Sequence, residues 1–200
     1  MSGILKSIGL LSTALTLLAC AGAGKDFVRP STDSFKLGQT TYSQVIQQMG
    51  EPKTTGESLH NDKTVKHVIY SYANVSGEPL EQGVNSYRGL TFFFYNDTLV
   101  GKQFISSFKV DNSNFDETKI GRIEKGRTTR TEVIELMGVP TASFIPPMVK
   151  EPAVEAIGYT YQAIRGGLFS GLKPNMKSLR ISLDGNGVVS DLNYTTSGNK

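Results

Sequence analysis

The chain has a single cysteine in 200 residues, so no disulfide can staple it from within, and it has only two histidines. It also lacks a strong charge of either sign. Twenty-one basic side chains stand against 18 acidic ones, a formal +3. Removing the first 19 residues takes Lys6 away and leaves 20 against 18, or +2. So weak a balance gives no electrostatic footprint for nucleic acid. The apolar run from Ile8 to Leu18 is too short to span a bilayer.

What the chain does have is a stretch that occurs twice. Gly38-Gln39-Thr40-Thr41-Tyr42-Ser43-Gln44-Val45-Ile46-Gln47-Gln48-Met49-Gly50-Glu51-Pro52 returns 88 residues later as Gly126-Arg127-Thr128-Thr129-Arg130-Thr131-Glu132-Val133-Ile134-Glu135-Leu136-Met137-Gly138-Val139-Pro140. Each copy reads as one short helix. Thr41 and Thr129 are N-caps, and Gln44 and Glu132, three residues on, complete capping boxes. Gly50 and Gly138 end the helices, and Pro52 and Pro140 cannot continue them. Val45, Ile46 and Met49, with Val133, Ile134 and Met137, form the apolar stripe of each.

The flanking pattern extends the repeat. Val68 to Tyr72 and Ile157 to Tyr161 read as strands, separated by a polar connection, Lys53 to Lys66, from the first helix. Leu90 to Phe94 and Leu179 to Leu183 follow, then turns at Asn96-Asp97 and Gly185-Asn186, then closing strands from Leu99 and Val188. Asp116 caps a further helix to about Lys125, with Phe115 and Ile120 at staple spacing. The expected fold class is α+β: two tandem units, each one or two short helices packed on a three-stranded antiparallel β-meander. The expected boundaries are a signal peptide over 1–19, a flexible tether over 20–34, the first repeat over 35–108, a linker over 109–114 and the second repeat over 115–196.

At the N-terminus, Leu17-Leu18-Ala19-Cys20 resembles the bacterial lipobox, with Leu18 bulkier than usual at its place. The resemblance implies a lipoprotein acylated on Cys20 and held at a membrane by its lipid. Ala21 after the cysteine implies the outer membrane, facing the periplasm.

A lipobox, a tether, then G-x-T-x-x-x-V-x-x-x-x-G-x-P before an aromatic strand and a meander resembles the outer-membrane assembly factor BamE family, also called SmpA/OmlA. A tandem of such units is also similar to the β-lactamase inhibitory proteins, which duplicate a helix-plus-sheet unit but carry disulfides. The first resemblance implies a protein-binding accessory role in outer-membrane protein assembly or envelope integrity, with envelope proteins as partners. The second implies a binding module that inhibits or sequesters an enzyme or ligand.

No enzyme, cofactor or metal is expected. His60 and His67 lie in or beside a polar loop without a ligand pattern. Asp184-Gly185-Asn186-Gly187 begins like a calcium loop, but Val188 stands where an oxygen ligand belongs. Lys125, Arg127 and Arg130 cluster at the second helix's N-terminus as candidates for an anion or lipid headgroup, or as a solvated charged turn. Phe93 and Tyr95 give the first sheet a second apolar face, to be covered by a partner, the tether or the other repeat. Leu168, Phe169 and Leu172 sit among glycines in a loop, as docking residues, or folded back over the sheet edge or into the seam between units.

Overall fold

A computed structural model of the chain describes residues 22–167 and 170–198. Its strands are β1 (Gly22–Gly24), β2 (Thr54–His60), β3 (Lys63–Asn74), β4 (Ser86–Tyr95), β5 (Thr98–Ser106), β6 (Ala142–Phe144), β7 (Glu155–Gly167), β8 (Gly171–Leu183) and β9 (Val189–Ser197). The helices are α1 (Tyr42–Met49) and α2 (Arg130–Met137). All nine strands join one antiparallel sheet in the order β1-β3-β4-β5-β6-β7-β8-β9, with β2 also paired to β3.

This corrects the α+β expectation. The fold is mostly sheet, and the strands do not form two separate three-stranded meanders each under its own helices. The three residues of β6 make the difference: they pair with β5 from Gly101 to Gln103 on one side and with β7 from Ala156 to Gly158 on the other. The polar connection Lys53 to Lys66 is also sheet. Asn61 and Asp62 take left-handed φ values of 46° and 61°, which closes β2 and β3 into a two-residue hairpin. The stretch after Asp116 is a 3-10 helix, Glu117–Arg122, whose first turn is capped when Asp116 accepts from the Thr118 N–H at 3.0 Å.

Both capping boxes are present. Thr41 Oγ1 accepts from the Gln44 N–H at 3.3 Å while Gln44 Oε1 accepts from the Thr41 N–H at 2.9 Å. Thr129 and Glu132 repeat this at 3.4 and 2.7 Å. At the other end of each helix a buried tyrosine holds the glycine stop: Tyr70 donates to the Gly50 carbonyl at 2.8 Å and Tyr159 to that of Gly138 at 2.9 Å. Val45 and Val133 seal the helices onto the sheet with no exposed surface.

One register differs from expectation. Leu99 exchanges backbone hydrogen bonds with Gly38 and Thr40, and the residue that does so with Gly126 and Thr128 is Val189, not Val188. The turn around Asp184 is one residue longer than that around Asn96, so the closing strands correspond at a spacing of 90 residues. A one-residue slip moves every side chain to the other face of a strand, so the shift decides which β9 residues face the helices.

Two cores lie on the helix face, one around Phe35, Phe92 and Leu99 beneath α1 and one around Ile157, Leu179 and Ile181 beneath α2. A third lies on the back face, where Val65 and Val100 meet Phe144, Met148 and Val149. The second apolar face of the first meander is thus covered by β6 and the chain that follows it.

Candidate binding cleft

Between the two helix layers lies a gap whose sheet floor is itself buried, so its accessible apolar surface comes from the walls. The gap is a cleft of about 650 Å³. Its floor is Leu90, Phe92 and Phe104; Phe35 and Leu37 line the α1 side, and Ile134, Val139 and Pro140 the α2 side. Strand alternation explains the floor, since Leu90 and Phe92 share a face and Phe104 pairs opposite Leu90.

The rim is charged. Arg29, Lys36, Lys102 and Arg130 line the cleft against the two carboxylates Asp33 and Glu155. Arg29 donates to the Pro140 carbonyl at 2.7 Å and lies over the Phe104 ring at 5.2 Å, so it bridges the two halves. Lys102 donates to the carbonyls of Thr32 and Phe35 at 2.7 and 2.8 Å. Burial pushes the Lys102 ammonium below the ordinary lysine range; Asp33 works against that and Arg29 with it. Burial also lowers Arg29, opposed by Asp111, and a guanidinium so shifted still keeps its charge. Arg130 reaches Glu155 Oε1 at 3.2 Å. The cleft can therefore hold an apolar group and neutralise negative charge beside it.

The segment expected to be a flexible tether supplies part of this site. From Gly22 it is bound to the protein: β1 pairs with Tyr72 to Asn74, and Asp26 bonds Arg88 at 2.9 Å. A phenylalanine and an arginine within a supposed tether, Phe27 and Arg29, were the available signals. Lys102 had one too, because it sits two residues before Phe104 on the face that elsewhere is apolar.

Among the described residues, Arg130 is the one expected site residue that lines the cleft. Lys125 pairs with Asp191 at 3.2 Å and Arg127 with Glu124 at 3.1 Å, both exposed, so the three cations do not converge. Phe93 and Tyr95 lie on the back face, half-buried against the third core. Leu172 is 66% exposed at the start of β8. Leu168, Phe169 and Cys20 lie outside the described residues. His60 shares a hydrogen bond with Ser58 at 3.0 Å, and burial, then Arg180, lowers its pKa. Asp184 Oδ1 accepts from the N–H groups of Asn186 and Val188, which makes its loop a turn. No group of three or more potential metal ligands occurs among the described residues.

No protein-family model matches the chain. With a single sheet in place of two meanders, this overturns the resemblance to the BamE family and the assembly-factor vocabulary that came with it. No curated protein matches the sequence either. Among solved structures, a crystal structure from Streptococcus mutans, described as a "putative beta-lactamase inhibitor protein", is similar over 78% of this chain and 82% of that one, with a TM-score of 0.41 and 12% identity.

Proposed function

We propose that the protein is a non-enzymatic binding module that inhibits or sequesters a protein partner by seating one of its segments in the cleft. The observation that carries this reading is the pairing of accessible apolar walls, Leu37, Ile134, Val139 and Pro140, with a rim of four cations and two carboxylates. Such a site selects an extended segment in which an apolar side chain is flanked by Asp or Glu. The apolar anchor supplies affinity, and the rim supplies register and encounter rate. Arg29, Lys102 and Arg130 each have a fixed hydrogen-bond or ion-pair partner within the protein, an arrangement that suits positioning.

Val139, 58% exposed at the cleft wall, is the place to test it. A photoreactive side chain at position 139 should capture in cells a protein that the same probe at Leu59, on β2, does not. The Lys36→Glu, Arg130→Glu double variant should lose that capture while keeping its melting temperature. Equal capture from both positions, or capture indifferent to the charge reversal, would sink the reading.

We further propose, from Leu17-Leu18-Ala19-Cys20 for the anchor and from Ala21 for the membrane, that the module is lipid-anchored at the outer membrane. Cys20→Ser should release it from the membrane fraction, and absence of acyl mass on the wild-type chain would reject the anchor.

A further inference from the structure

We propose that two copies of this chain join edge to edge through β9, each continuing the other's sheet as an antiparallel neighbour. The inference goes beyond the cleft and concerns a different surface.

The internal duplication supplies the geometry. At the 90-residue correspondence β5 matches β9, and β5 carries β6 on its outer side whereas β9 ends the sheet among the described residues. The Phe104 N–H donates outward to the Thr141 carbonyl at 2.8 Å. Its counterpart, the Tyr194 N–H, points the same way off the free edge. The side chains differ accordingly: Phe104 is 2% exposed, and Tyr194 is 36% exposed beside Phe115.

An open edge of this length is ordinarily blocked by lysine, proline or an inward charge. Leu192 to Ser197 contains no charged residue and no proline. Val189 already spends its outward groups on Gly126 and Thr128, so the free edge runs from Asp191 to Ser197 and is centred on Tyr194. A two-fold axis there sets Tyr194 against itself, Asn193 against Thr195 and Leu192 against Thr196. No like charges meet, and Asp191, held by Lys125 at 3.2 Å, falls opposite Ser197. The other edge contrasts. β2 runs from Thr54 to His60, so the same operation sets Glu57 against Glu57, which is unfavourable. The chemistry therefore favours a second copy at β9.

Sedimentation of the purified protein over a range of concentrations should show a reversible monomer–dimer equilibrium. Thr196→Pro, which removes an edge N–H on an exposed residue, should raise the dimer dissociation constant by roughly tenfold or more with the monomer still folded. Should that variant melt early, cross-linking decides. In a Cys20→Ser background, Tyr194→Cys should oxidise to a covalent dimer far faster than Leu59→Cys, because Cα atoms facing each other across a hydrogen-bonded antiparallel pair lie within disulfide reach. A protein that stays monomeric throughout, a dimer unaffected by a folded Thr196→Pro, or equal cross-linking from both positions would overturn the proposal, the first outcome leaving β9 to a strand of some other protein.

Discussion

Phe93 and Phe144 meet on the back face with ring centroids 5.9 Å apart and planes inclined at 61°. Gly101 makes room for them: a Cβ there would come within 2.7 Å of Phe144 Cδ1 and 3.2 Å of Phe93 Cδ2. Phe144, 6% exposed, belongs to the second copy of the repeat, so this contact closes the first copy's sheet with the second copy's chain. Phe144→Ala should cost about 3–5 kcal/mol by urea denaturation. Gly101→Ala should also destabilise, whereas Gly121→Ala, with nothing near its Cβ, should leave the midpoint almost unchanged.

Arg88 is a second point of closure. Its side chain is 7% exposed and its Nε and Nη1 bond Asp111 and Asp26, both at 2.9 Å, beneath the Phe108 ring. Asp111 is as buried as the arginine, and Asp26 is 59% exposed. Arg88→Ala should therefore cost about 3–5 kcal/mol, because it strands a buried carboxylate. Asp26→Asn should cost about 1 kcal/mol or less, since its charge is already solvated. Similar losses from the two changes would refute this ranking.

The two capping boxes should respond differently to acid. Glu132 has its pKa lowered because it accepts first from the Thr129 N–H and then from the Thr129 hydroxyl. A carboxylate depressed in the folded state contributes stability that is fully present above its unfolded pKa, near the ordinary 4.5, and is lost as pH falls through the lower folded value. Gln44 holds the same place in α1 and cannot titrate. Amide exchange at the first turn of α2 should accelerate relative to α1 as pH drops through that window. Parallel behaviour of the two helices would show that Glu132 does not sustain the cap.

Leu172 gives the reverse expectation. At 66% exposure, Leu172→Ser should shift stability by no more than about 0.5 kcal/mol. Loss of partner capture at constant melting temperature would add the β7–β8 hairpin to the docking surface.

The helix caps, the strands and the repeat could be read from residues because their signals are local: a threonine, a glutamine or glutamate three positions on, a glycine stop. The merging of the sheets could not. It depends on Ala142 to Phe144, three residues without strand periodicity, finding β5 some forty positions earlier. The β2–β3 hairpin was masked by polar composition, since β2 lies at a sheet edge where both faces meet water. The cleft escaped for a third reason: its lining runs from Arg29 to Glu155, and no stretch of chain holds enough of it to make a motif. The extra apolar face carrying Phe93 and Tyr95 was legible in the sequence, and only the tertiary structure shows what covers it.

Arg29 and the Pro140 carbonyl that holds it are 111 residues apart. A ribosome completes the first copy of the repeat long before it delivers Pro140 or the Phe144–Val149 cover. Until then the nascent first half has Val65, Phe93 and Tyr95 bare on its back face and Arg29 without its Pro140 partner, while β1 and Asp26 are already held by β3 and Arg88. The helix-face core closes from the first copy's own residues, whereas the back face needs residues of the second. Chains arrested at Ser113 should be cut readily by protease, and those released with β7 and β8 in place should resist. Until the second half arrives, the back face of the first therefore stays open to any other apolar surface, and the residues that close it come from the protein's own later chain.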